Sequence, residues 1–272
     1  MAGFFGLFNY EKEGPGISKD APKKKTFVFF FETFFRNFWK FITINLMFCL
    51  VSIPILSNGL ANAGITNVTR NIARDKHSFG LSDFFETIKK NWKQSLIAGI
   101  LNGVIGFVLV YIVIFYYKNS GGGILTTIGL GASLCMAFIF LIMNFYIYTL
   151  IITFKLSLKQ VYRNSFKFVF INMKSNLLCG VCLLLTYAVY LAVFFLIPNY
   201  LVLTIELIIA ICTLPAFRFL LIQFCTFPSI KKYIIDPYYE EHPDEDIELR
   251  RNLGIEIENE TKDESDGIVT ED

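Results

Sequence analysis

The chain has 272 residues, of which 54% are hydrophobic and 17% aromatic, with Phe alone contributing 30. A soluble domain averages roughly 45–50% apolar residues, and here the excess is gathered into long runs that carry few charges. The net charge of +2 hides a split: residues 1–235 hold 22 Lys/Arg against 8 Asp/Glu, whereas residues 236–272 hold 3 against 15. Basic residues flanking apolar runs are drawn to anionic lipid, so the positive charge reads as a membrane feature and argues against a nucleic-acid partner.

The first 26 residues form a polar cytoplasmic segment closed by Lys23, Lys24 and Lys25. The apolar stretch that follows is too long for the core of a cleaved signal peptide and lacks a small-residue cleavage site, so it is expected to remain as a helix. A bilayer core about 30 Å thick needs about 20 apolar residues of helix. Spans are expected at about 38–56, 95–117, 124–154, 176–198 and 200–227. Five spans alone leave the basic residues of 70–93 on the outer side, against the positive-inside tendency. A sixth, weaker span at about 58–74 repairs this. It is rich in small and polar residues, and Gly59 and Ala63 give the small-xxx-small spacing that permits close helix approach. The basic residues near 23–25, 70–93, 155–174 and 231–232 then all face the cytoplasm, as do both termini, in a multi-pass membrane protein.

Internal repetition accompanies this plan. Phe30-Phe31-Glu32-Thr33 recurs as Phe84-Phe85-Glu86-Thr87, with Asn37 and Asn91 each five residues beyond the Glu. Asn91, Lys93, Leu96 and Gly99 recur 81 residues later as Asn172, Lys174, Leu177 and Gly180. Each copy precedes a span that leaves the cytoplasm. The stretches before those spans repeat apolar residues at i+3 and i+4: Phe27, Phe30, Phe31, Phe34, Phe35 and Phe38 in the first, Leu81, Phe84, Phe85, Ile88 and Trp92 in the second, and Leu158, Val161, Tyr162, Phe166, Val169 and Met173 in the third. Basic, aromatic and amphipathic, they are expected to lie in the membrane interface. The fold expected is all-α: a polytopic bundle of six spans in three hairpin units, over residues 27–235, with cytoplasmic interfacial helices and a disordered acidic tail over 236–272.

Charges inside spans are functional candidates by default. Glu206 stands out, with Arg218 twelve residues further along the same span. Asn62, Asn102 and Asn144, together with Asn45 and Asn67, are polar positions that either line a shared cavity or join helices by hydrogen bonds. Gly99, Gly103 and Gly106 read as a packing face. The six cysteines lie in apolar runs, and Cys179 and Cys182, one helical turn apart, read as packing residues. No metalloprotease, nucleophile-elbow or phosphate-loop motif occurs, so neither an enzyme nor a cofactor is expected.

The segment 6–25, GLFNYEKEGPGISKDAPKKK, resembles the N-terminus of the YesL-type family of bacterial membrane proteins, a family without an assigned function. Asn45-Leu46 through Ser52-Ile53-Pro54, and Asp83-Phe84-Phe85 leading to Asn91-Trp92-Lys93-Gln94-Ser95, extend the likeness over most of residues 3–250. Where many relatives carry a Thr-Ile-Gly-Pro-like turn, this chain has Ser57-Asn58-Gly59-Leu60 and keeps only the Gly. The resemblance implies an accessory or scaffold role in carbohydrate uptake, with sugar ABC transporter subunits and the lipid bilayer as partners. A small transporter or channel with Glu206 in a polar cavity, and a membrane signalling component, are the alternatives.

Overall fold

A computed structural model describes residues 26–241 apart from His77 and Pro198. The N-terminal part of the YesL-type resemblance and most of the acidic tail lie outside those residues. Among the described residues the protein is all-helical: α1 (Thr26–Arg36), α2 (Phe38–Ser52), α3 (Asn58–Ala73), α4 (Leu81–Lys118), α5 (Ile124–Thr153), α6 (Leu158–Ile171), α7 (Met173–Leu196), α8 (Tyr200–Ile230) and α9 (Asp236–Glu241). α4, α5, α7 and α8 are each long and apolar enough to cross a membrane, and α1 with α2 adds a fifth candidate if that bent pair is one span.

Three asparagines interrupt the helices in one way. Asn37, between α1 and α2, has φ −105° and ψ 16°; Asn91, inside α4, has −114° and 16°; Asn172, between α6 and α7, has −110° and 33°. This is the sparsely populated bridge region, which asparagine tolerates when its side chain competes for a nearby carbonyl. Asn37 Nδ2 donates to Thr33 O (3.0 Å) and Asn91 Nδ2 to Thr87 O (3.2 Å). The threonines are the last residues of the two Phe-Phe-Glu-Thr copies, so the repeated motif encodes a hinge. At the third hinge the amide reaches across helices instead, to Tyr146 Oη (2.9 Å) and Cys225 O (3.2 Å). The first hinge bends the chain by 74°. Beside two of the hinges Trp39 and Trp92 are exposed, as interfacial aromatics should be.

At the opposite end α2 and α3 are joined over 53–57 and α4 and α5 over 119–123, and α8 begins four residues after α7 ends. The hairpin of α2 and α3 is short: 15 and 16 residues give about 22 and 24 Å of helix. α5 and α8, with 30 and 31 residues, run to about 45 Å. α4 packs on α5 and α7 on α8, and both long hairpins run past the tip of the short one. α3 sits between them, touching α2, α4, α5 and α8.

Its sequence explains that place. Nine of its 16 residues are buried, six of them Gly, Ala or Thr small enough for close approach, beginning with Gly59, Ala61, Ala63 and Gly64. The backbones of α3 and α4 touch at Gly59 and Gly99, where a methyl on Gly59 would lie 2.8 Å from the Gly99 Cα. Gly64 presses on the Phe84 ring in the same way. Of the expected Gly99–Gly103–Gly106 face, only Gly99 makes such a contact; Gly103 and Gly106 have room around them.

α8 contains Pro215, which removes a donor and bends a helix. Asn45 of α2 repairs the ladder there. Its Nδ2 donates to Cys212 O (2.6 Å), and Ala216 N–H donates to its Oδ1 (2.7 Å). The amide thus inserts between a carbonyl and the N–H four residues on. With no water in the bilayer core, these backbone groups need that partner.

The interfacial helices follow the expected pattern with one shift. Phe30 and Phe34 of α1 are buried against Phe217, with ring centroids 5.3 and 5.4 Å apart, while Phe27 and Phe35 are exposed. On α6 the buried stripe is Val161, Ser165, Phe168 and Val169; Phe166, and Met173 at the start of α7, are exposed. Tyr146 stacking on Phe168 at 5.0 Å selects this neighbouring stripe. The acidic segment also departs from a fully disordered tail, because its first six residues form α9 with Tyr239 buried in the core.

Candidate functional site

The asparagines of three helices meet beneath the turn of the short hairpin. Asn58 and Asn62 of α3, Asn102 of α4, and Asn144 and Tyr148 of α5 line one cavity of about 600 Å³, and Arg218 of α8 completes its polar wall. Phe48, Leu56, Ile100 and Phe219 supply apolar surface, and Gly99 and Gly103 bring the backbone of α4 to its edge. The size falls in the ordinary range for small-molecule pockets, which are mostly apolar with a few convergent polar groups.

Helical spacing puts these groups together. Asn144 and Tyr148 are four residues apart and share a face of α5, as Gly99, Asn102 and Gly103 do on α4. Asn102 is held from two sides: its Nδ2 donates to Tyr148 Oη (3.4 Å), and its Oδ1 accepts from Tyr162 Oη of α6 (2.7 Å). Asn144 donates to Phe140 O of its own helix (2.8 Å), which leaves its carbonyl oxygen available to the cavity.

Arg218 is exposed to the cavity, its guanidinium 5.4 Å from the Phe219 ring centroid. Among the described residues no carboxylate pairs with it. Glu206 does not join this site. It lies in a separate apolar groove of about 250 Å³ between α7 and α8, with Tyr190, Val193 and Val202, and holds no hydrogen bond or ion pair among the described residues. Twelve residues of helix, about 18 Å, separate it from Arg218. Asn62, Asn102 and Asn144 thus line one cavity whose charged member is Arg218, and Glu206 lies elsewhere. Sequence spacing could have paired Arg218 with these asparagines, since a mid-span guanidinium needs polar company; Glu206 drew attention first because its neighbours in sequence are all apolar.

Asn45 and Asn67 serve the other role open to them, joining helices. Asn45 bonds α8, and Asn67 Nδ2 donates to Thr87 Oγ1 (2.7 Å) while its Oδ1 accepts from Arg70 (2.8 Å). Polar contacts continue from the cavity toward the hinges, through Gln223 Nε2 to Thr149 Oγ1 (2.9 Å) and Arg70 to Thr153 Oγ1 (2.6 Å). Gln223 is fully buried with its Oε1 unpartnered.

At the hinge end a second, basic concavity of about 290 Å³ is lined by Arg36, Lys40 and Lys76 together with Asp75. Arg36 pairs with Asp75, and Lys40 Nζ donates to Ser78 O (2.8 Å). Burial, with Arg74 and Arg70 nearby, pushes the Lys76 ammonium down to about 8. Among the described residues no group of His, Cys, Asp and Glu is placed to hold a metal ion.

A family model described as a protein of unknown function, DUF624, matches residues 41–112. The match runs from α2 through most of α4 and so takes in Asn58, Asn62, Gly99 and Asn102 of the cavity. No curated protein and no solved structure matches the chain.

Proposed function

We propose that this chain is a non-enzymatic cell-membrane protein of the YesL type that serves carbohydrate uptake, and that its own contribution is to bind a small hydroxylated solute in the intramembrane cavity. The convergence of Asn62, Asn102, Asn144, Tyr148 and Arg218 on one cavity of about 600 Å³ carries this reading. Amides and a phenol offer both donors and acceptors, the chemistry that sugar hydroxyls require, and a pure scaffold has no need of them. The accessory role with sugar ABC transporter subunits becomes that of a partner that holds solute within the bilayer.

The topology that supports this reading has six spans, with α3 as the short central one, in three hairpin units. Three hinges of matching backbone geometry, each opening a span, favour the repeated unit. The basic residues of 70–93 and 155–174 gather at the hinge end, which by the positive-inside tendency supports a cytoplasmic hinge end and cytoplasmic termini.

Passage of the solute is a second reading. The buried polar contacts of Gln223, Thr149, Arg70 and Thr153 continue from the cavity toward the hinge end, and a solid apolar floor would have argued against it.

The test is equilibrium binding of a panel of neutral mono- and disaccharides to the protein in phosphatidylcholine nanodiscs, with the double variant Asn102→Leu, Tyr148→Phe as comparison. Saturable binding lost in the variant supports the site. A panel that never binds, or binds the variant equally well, removes it. Stoichiometric recovery of transporter subunits with the tagged protein from its native membrane tests the partner; recovery of the protein alone argues against that part.

A further inference from the structure

We infer that the solute bound in this cavity carries an anionic group, a carboxylate or phosphate, which pairs with Arg218; this rests on the cavity reading above. A guanidinium within a span is costly unless it meets a counter-charge or water. Arg218 lies twelve residues before the end of α8, about 18 Å from it. That is beyond the reach of its own side chain to the hinge-end surface by snorkelling.

The groups that surround it within the cavity are neutral: Asn58, Asn62, Asn102, Asn144 and Tyr148. The one carboxylate on its helix, Glu206, faces a different groove. Among the described residues, therefore, a fixed cation stands against a set of neutral hydrogen-bonding groups with no counter-ion supplied. A planar guanidinium matches a carboxylate or phosphate with two parallel hydrogen bonds. The amides and the phenol are then placed for the hydroxyls beside that anion. A neutral sugar would satisfy the amides and leave Arg218 unpaired; an anionic polyol satisfies both.

The anion can come from a free solute or from a lipid headgroup, and the experiment separates them. Gluconate and glucitol share a six-carbon polyol chain and differ in a terminal carboxylate against a terminal hydroxymethyl. Calorimetry on the protein in phosphatidylcholine nanodiscs should give gluconate a dissociation constant about tenfold or more below that of glucitol. Arg218→Gln should erase that preference, bringing gluconate and glucitol to equal affinity in the variant, while Arg218→Lys keeps part of it. Helicity and a monodisperse elution profile confirm that both variants fold.

In a second arm the protein is released from nanodiscs containing equal phosphatidylcholine and phosphatidylglycerol and weighed by native mass spectrometry. One phosphatidylglycerol retained by the wild type and lost in Arg218→Gln supports the anion site and assigns it to a lipid phosphate. Equal affinity for gluconate and glucitol, with no retained anionic lipid, overturns the charge inference and leaves the cavity reading intact. If neither polyol binds and no lipid is retained, both readings fail.

Discussion

α3 and the outer part of α4 are neighbours that obey opposite rules. α3 is polar and small, and nine of its 16 residues are buried. The most apolar stretch of α4 is 6% buried, with Phe107, Val110 and Tyr111 exposed along it. In a water-soluble protein the apolar helix would be the core and the polar one the surface. Here lipid is as apolar as any side chain, so hydrophobicity marks what faces the bilayer, and small or polar residues mark what packs. The difference assigns energy as well as position: contacts within α3 should be expensive to disturb, and those along outer α4 cheap.

The largest effect is expected where the two helices touch. Gly59→Ala places a methyl 2.8 Å from the Gly99 Cα, with backbone rather than a flexible side chain in the way. The helices must part, at a cost of about 3 kcal/mol, the upper end for overpacking. Gly103→Ala, one turn from Gly99 with nothing within 4 Å, should leave thermal stability in detergent almost unchanged. Equal losses at the two positions would show that the α3–α4 contact does not set the response.

Asn45→Leu should cost about 2 kcal/mol. It strips Cys212 O and Ala216 N–H of partners where no water replaces them. Asn144→Leu, which loses a hydrogen bond within its own helix, should cost less than half as much and instead impair the cavity. Chemical unfolding of the two variants side by side would decide whether the span asparagines divide into joints and site residues as described.

That division marks the limit of what the sequence disclosed. Long apolar runs announced α4, α5, α7 and α8 because their length and composition are local properties. The motif spacing marked Asn37, Asn91 and Asn172 as recurring positions but not as hinges; the first two are held by a threonine carbonyl four residues back, the third by groups on other helices. α3 was legible only through the charge pattern around it, its own composition being too polar to identify a span. Asn62, Asn102 and Asn144 were visible as polar interruptions, but whether they converge depends on the rotation of three helices about their axes, which no single run encodes. For the same reason Glu206 seemed the charged centre of the site, when the rotation of α8 turns Arg218 toward the cavity and Glu206 toward α7.

A smaller, pH-dependent effect belongs to the loop after α3. Lys76, ordinarily near 10.5, is held at about 8 by burial and by Arg74 and Arg70. Arg36 and Lys40 also face this concavity, and Asp75, the one acid there among the described residues, is paired with Arg36. Below about pH 8 both folded and unfolded chains carry the proton, so stability does not change. Between about 8 and 10.5 the unfolded chain keeps a proton that the folded chain has lost, and stability rises with pH. Lys76→Gln should flatten that rise in detergent melts between pH 7.5 and 10. A slope that survives the substitution would place the titrating group elsewhere.

The smallest effect should come from the largest apolar deletion. Phe107, 75% exposed on α4, loses a whole ring in Phe107→Ala. In a soluble core that change costs about 3–5 kcal/mol. On a lipid-facing surface the ring exchanges protein-side contact for very little, since acyl chains fill the space and no cavity remains. Thermal stability in nanodiscs should therefore move by less than about 0.5 kcal/mol, the range of ordinary surface changes. Ile65→Ala, fully buried on α3, removes fewer atoms yet should cost about 2 kcal/mol or more. If Phe107→Ala proved the costlier of the two, outer α4 would be covered by protein rather than lipid, and the surface it covers would be another membrane-embedded chain rather than the bilayer.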